Sequence, residues 1–112
     1  MVEIYAIRID EPIDKSLYNQ LLSCISDEKR EKINRFRFAD DSKKSLYGDL
    51  LVRYLACNKL KIHNNELVFC YNEFGKPFIE NYSDFHFNIS HSGVWVVCAI
   101  DKNEVGIDIE QM

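Results

Sequence analysis

The chain has 112 residues, 46% hydrophobic and 29% charged, with a net charge of −4, proportions that suit one soluble globular domain and leave no room for a second complete one. The acidic balance argues against a nucleic-acid partner; with no apolar run near the ~18 residues of a membrane span and no leader character in Met1-Val2-Glu3-Ile4, the expectation is a cytoplasmic protein with no membrane contact. Cys24, Cys57, Cys70 and Cys98 are scattered without a C-x-x-C pair, which excludes a zinc knuckle and predicts reduced, partly buried thiols.

Residues Val2 to Ile9 are β-branched and aromatic and run into Asp10-Glu11-Pro12, the pattern of a short strand closed by a turn. After Asp14, a suitable N-cap, Leu17, Leu21, Cys24 and Ile25 recur at helical spacing and predict one buried stripe. Ser26 caps a second helix with Asp27 and Glu28 in its first turn, where the macrodipole favours acids, and a basic body from Lys29 to Phe36. A third helix is predicted from about Ser42 to Lys59, with Leu46, Leu50, Tyr54 and Cys57 on its buried face beside Tyr47, Leu51 and Leu55. Gly48 within it costs about 1 kcal/mol relative to alanine; such a glycine marks a close approach by a backbone or ligand, or simply close packing, the plainer explanation.

A strand at Leu67 to Tyr71 and a turn at Asn72 to Pro77 follow. Three further strands, Phe85 to Ile89, Val94 to Ile100 and Val105 to Ile109, are joined by Ser90-His91-Ser92-Gly93 and Asp101-Lys102-Asn103-Glu104. Both connections suit hairpins, so the expected fold is α+β, an antiparallel meander with helices packed on one face.

Several segments carry chemistry. Alternation through Val105-Gly106-Ile107-Asp108-Ile109-Glu110 puts Asp108 and Glu110 on one strand face, where two carboxylates can converge on a hard cation such as magnesium; an ordinary amphipathic strand has the same pattern. The turn Ser90-His91-Ser92-Gly93 offers hydroxyl, imidazole and amide groups to a phosphate, or merely caps its own backbone. Lys29 and Lys32 share one helical face, able to receive a phosphate or simply to be solvated. No G-x-S-x-G elbow supports a serine hydrolase.

Five blocks in order, Ser26-Asp27-Glu28-Lys29-Arg30-Glu31-Lys32, Gly48-Asp49-Leu50-Leu51-Val52-Arg53, Gly75-Lys76-Pro77, Phe87-Asn88-Ile89-Ser90-His91-Ser92-Gly93 and Gly106-Ile107-Asp108-Ile109-Glu110, resemble the N-terminal half of a 4′-phosphopantetheinyl transferase of the surfactin-synthetase type. The resemblance implies one half of a pseudo-twofold α+β fold that binds coenzyme A in its cleft. Lys29, Lys32, Ser45, Ser90 and His91 would surround the adenosine 3′-phosphate and neighbouring oxygens, and Gly75, Lys76 and Pro77 would line the nucleotide. Asp108 and Glu110 would hold Mg2+. The implied reaction moves phosphopantetheine from coenzyme A to a serine of an acyl or peptidyl carrier protein, and the basic segment from Arg30 to Arg37 is a candidate contact for that acidic partner.

The family's W-x-x-K-E block has no counterpart before Met112, so the third carboxylate and essential lysine that the resemblance implies are expected to be absent from this chain. The expectation is a chain that is inactive and binds coenzyme A weakly without a complementary C-terminal half, as a truncation or one chain of a split enzyme. The competing expectation is a noncatalytic module that binds coenzyme A or the carrier. Self-association through the surface meant for the missing half is a further possibility, although motif order argues against the short type that builds its site between identical subunits.

Overall fold

The computed structural model describes residues 2–101. Its first strand, β1 (Glu3–Arg8), is followed by helix α1 (Lys15–Leu22), where the Asp14 carboxylate accepts the Leu17 N–H at 2.7 Å. Helix α2 (Asp27–Asn34) starts on Ser26, whose Oγ accepts the Lys29 N–H at 3.2 Å. Both expected caps are present, each satisfying a helix-end donor that would otherwise need water.

Helix α3 (Ala39–Leu60) is the spine. A 3-10 turn at Asn64–Glu66 leads into a small antiparallel ladder of β2 (Phe69–Tyr71) and β3 (Pro77–Ile79). Asn72 closes that hairpin by accepting the N–H groups of Phe74 and Lys76, each at 2.9 Å. β4 (His86–Ser92) and β5 (Trp95–Asp101) then form a hairpin.

The main sheet has the order β1-β5-β4, all antiparallel. Its inner face meets α3, where Val52, Leu55 and Ala56 pack with Phe87, Val96, Cys98 and Ile100 in the main core. A second cluster of Leu22, Ile25, Ile33 and Leu46 fixes α1 and α2 to the first turns of α3. The result is the expected α+β architecture of helices on an antiparallel sheet.

Four local expectations change. α1 ends at Leu22, so Cys24 and Ile25 fall beyond it; Leu22 and Ile25 are buried, while Leu17 is 45% exposed. On α3 the buried arc is centred on Val52 and Ala56, and Tyr54 is 65% exposed. The helix is flanked by the sheet on one side and by α1 and α2 on another, so it buries a wider arc, rotated from the one apolar counting selects.

The third change concerns Ser90-His91-Ser92, which are ladder residues rather than turn residues. Ser92 pairs with Trp95, and Gly93 at φ 56 lets the chain reverse at once. The fourth concerns the meander: β5 has β4 on one edge and β1 on the other, so its second edge goes to the N-terminal strand. The strand expected at residues 105–109 lies outside the described residues.

Gly48 has a definite cause. A Cβ there would stand 3.2 Å from Cγ2 of Ile89, so glycine lets α3 settle onto β4. The approach is made by a neighbouring side chain.

Candidate functional site

Where α2, the first half of α3, the β2–β3 hairpin and β4 converge, they enclose a cleft of about 350 Å³. α3 supplies one wall through Asp41, Lys44, Ser45, Gly48, Asp49 and Val52, a single helical face. α2 brings Lys29 and its capping Ser26, β4 brings His91 beside Phe87 and Ile89, and the hairpin brings Phe69, Tyr71 and Pro77. Lys32 lies in an adjoining depression of about 480 Å³ that shares Ser26, Lys29, Arg53, Phe69 and Tyr71 with the cleft.

Of the residues selected from the sequence, Lys29, Ser45, Pro77 and His91 therefore line one cavity, with Lys32 next door. The others are placed differently. Ser90 alternates with His91 along β4, so its side chain leaves the opposite face of the sheet. Gly75 sits at the hairpin tip with φ 80 and open space around it. Lys76 lines a separate depression with Asn72 and His86. Asp108 and Glu110 lie outside the described residues, and among those described no group of three His, Cys, Asp or Glu side chains could hold a metal ion.

The cleft's charges are arranged unequally. Lys29 is half-buried, and desolvation holds its ammonium below the ordinary lysine range; the Asp49 carboxylate opposes that shift and nearby Lys32 adds to it. A partly desolvated ammonium in a cleft that also holds the Ser26 and Ser45 side chains is well placed to take an anion as its counter-charge. Ser26 also presents the positive end of α2 to the same space. Phe36, Phe69 and Tyr71 with Pro77 add apolar surface that accommodates a planar or aliphatic group beside the anion.

Arg53 was not selected from the sequence as a site residue. Its side chain is only 8% exposed. Nε donates to Asp49 Oδ2 at 3.1 Å, Nη1 donates to Asn64 Oδ1 at 2.9 Å, and the guanidinium lies 5.0 Å from the centre of the Phe69 ring. Asp41, Lys44 and Asp49 were also missed. Their signal is the polar face that positions 41, 44, 45, 48 and 49 share on α3, which apolar periodicity does not mark.

The basic segment divides by role. Arg30 spends its guanidinium on the Leu22 and Ile25 carbonyls and on Asp27, closing the α1–α2 connection, whereas Arg35 and Arg37 are exposed. The cysteines are free thiols, and burial pushes the Cys98 thiol up to about 12, so no thiolate nucleophile arises there.

The class of protein follows from comparison with known sequences. Residues 11–103 match the family described as 4′-phosphopantetheinyl transferase, N-terminal, and the chain belongs to that family. Among similar proteins, 4′-phosphopantetheinyl transferase Sfp of Bacillus subtilis strain 168 is 43% identical over 110 residues, covering 98% of this chain and 49% of that protein. The gsp transferase of Aneurinibacillus migulanus is 43% identical over 112 residues, covering 100% of this chain and 46% of its own. The L-aminoadipate-semialdehyde dehydrogenase-phosphopantetheinyl transferase of Xenopus laevis is 34% identical over 92 residues, covering 77% of this chain and 30% of its own. The chain thus spans about half the length of the first two relatives.

Proposed function

We propose that this chain is the coenzyme A-binding part of an enzyme that transfers 4′-phosphopantetheine to a serine of an acyl or peptidyl carrier protein. The observation that supports it is the convergence of Lys29, Ser45 and His91 on one cleft that also has an apolar wall at Phe69, Tyr71 and Pro77. A ligand carrying phosphates, a planar base and an extended arm needs both kinds of surface. Each charge-assisted contact contributes about 1.5 to 3 kcal/mol, so several are required to take a polyanion from water.

In the proposed reaction the carrier serine hydroxyl attacks the β-phosphorus of coenzyme A. A phosphorus–oxygen bond to the serine forms, the bond to the 5′-phosphate oxygen of 3′,5′-adenosine bisphosphate breaks and that oxygen keeps the electron pair, and the hydroxyl proton passes to water. Such transfers depend chiefly on positioning and charge neutralisation. Lys29, Lys32 and His91 anchor the nucleotide phosphates, Ser45 donates a hydrogen bond, and the apolar wall keeps the nucleotide from sliding. Asp108 and Glu110, hard oxygen donors suited to magnesium, would hold the Mg2+ that neutralises the pyrophosphate when bound.

The test is titration calorimetry of the protein with coenzyme A, followed by mass spectrometry of a carrier protein incubated with both. Binding that falls in Lys29→Ala and His91→Ala, with the carrier gaining a phosphopantetheine arm when the complementary C-terminal half is supplied, supports the reading. Binding without any transfer in that mixture identifies a noncatalytic module. No binding at all overturns the proposal.

A further inference from the structure

Arg53 occupies an unusual place for a charged side chain. It is buried beneath both depressions described above and belongs to the lining of each. Its contacts reach three parts of the fold: Asp49 one turn earlier on α3, Asn64 in the 3-10 turn, and the Phe69 ring on β2. Each contact continues outward. Asn64 Nδ2 donates to the Cys24 carbonyl at 2.6 Å, in the connection just ahead of α2. Phe69 meets Phe87 of β4 edge-to-face, with ring centroids 6.0 Å apart.

We infer that Arg53 is a positioning residue for the proposed coenzyme A site, bracing the Lys29-bearing helix on one side of the cleft and the β2–β3 hairpin with β4 on the other. Two donor directions are committed to Asp49 and Asn64, and the adjacent carboxylate largely cancels the guanidinium charge. The side chain therefore acts on a bound anion mainly through the placement of Lys29 and Phe69. The guanidinium's rigid fork suits this work, because two donors at fixed angles hold two acceptors on different elements. A lysine keeps the charge opposite Asp49 but cannot reproduce that geometry.

The inference rests on the coenzyme A reading, and the experiment separates the two. Full-length protein carrying Arg53→Lys, Lys29→Ala or both is titrated with coenzyme A, and thermal unfolding is recorded for each. Arg53→Lys is expected to stay folded and weaken binding roughly tenfold, the scale of one charge-assisted contact. In the double variant the two losses combine to well under their product, because the lysine ammonium that Arg53 positions is already gone. Should Arg53→Lys fail to fold, Asn64→Ala, at an exposed position, cuts the same brace and is expected to show the same non-additivity with Lys29→Ala. Unchanged affinity in the folded variant, or losses that multiply independently, overturns the inference alone. Failure of the unsubstituted protein to bind coenzyme A overturns the parent reading and this inference with it.

Discussion

Lys29 shows how one residue's environment sets its behaviour. Burial disfavours its charged form, so it gives up its proton at a lower pH than an ordinary lysine, whose value is 10.5. In the window between the two values the unfolded chain holds more protons, so this group makes stability rise with pH. A phosphate bound alongside restores the charged form and raises the value again. Coenzyme A binding at a pH between the two values should therefore take up a proton, seen as a dependence of calorimetric enthalpy on buffer ionisation that Lys29→Ala abolishes. Asp49 is the second residue-scale case. Asp49→Ala leaves the buried guanidinium of Arg53 with a neutral partner and is expected to cost about 3 kcal/mol, read as a lower urea midpoint at constant slope. The exposed pair Arg8–Asp10 is the control, and Asp10→Ala should leave the urea midpoint nearly unchanged.

At the scale of elements, α2 is a short helix of eight residues that must hold Lys29 steady, and its start depends on one hydroxyl. Ser26→Ala is expected to cost about 1 kcal/mol, measurable as a fall in melting temperature. Gly48 governs how α3 sits on β4. With a Cβ already 3.2 Å from Ile89, a branched side chain must push the two elements apart, and Gly48→Val is expected to destabilise by about 1 to 3 kcal/mol. Because Gly48 also lines the cleft, the same variant should weaken coenzyme A binding beyond the loss of stability; equal binding by the folded fraction would assign the glycine to packing alone. The caps at Asp14 and Ser26 and the Gly48 approach were legible from sequence, being local or confined to one residue type. The extension of β4 through Ser92 was not, because serine, histidine and glycine signal a turn equally well until the partner strand fixes the register.

For the molecule as a whole, the ratio of lengths is the governing fact. The chain spans 49% of the Sfp transferase and 46% of the gsp transferase, so the proposed activity is expected to draw on surfaces beyond the residues described. The prediction is that residues 1–112 alone bind coenzyme A weakly and modify no carrier, while the C-terminal half added in trans restores both. Carrier modification by the purified chain without addition would contradict this. Sedimentation at several concentrations tests self-association. No helix among the described residues is long and apolar enough to cross a membrane.

The order of residues along the chain by itself determined the family, the α+β class, the helix caps and four of the groups in the cleft, Lys29, Ser45, Pro77 and His91, since these depend on residue type and short-range spacing. Tertiary structure decided which groups meet: His91 and Ser90 are adjacent in sequence yet leave opposite faces of one strand, while Lys29, Ser45, Pro77 and His91 come from four elements into one cavity. It also revealed Arg53 as a brace. A buried arginine is tolerable only where distant partners satisfy it, and Asn64 and Phe69 become its neighbours only when the chain folds back on α3.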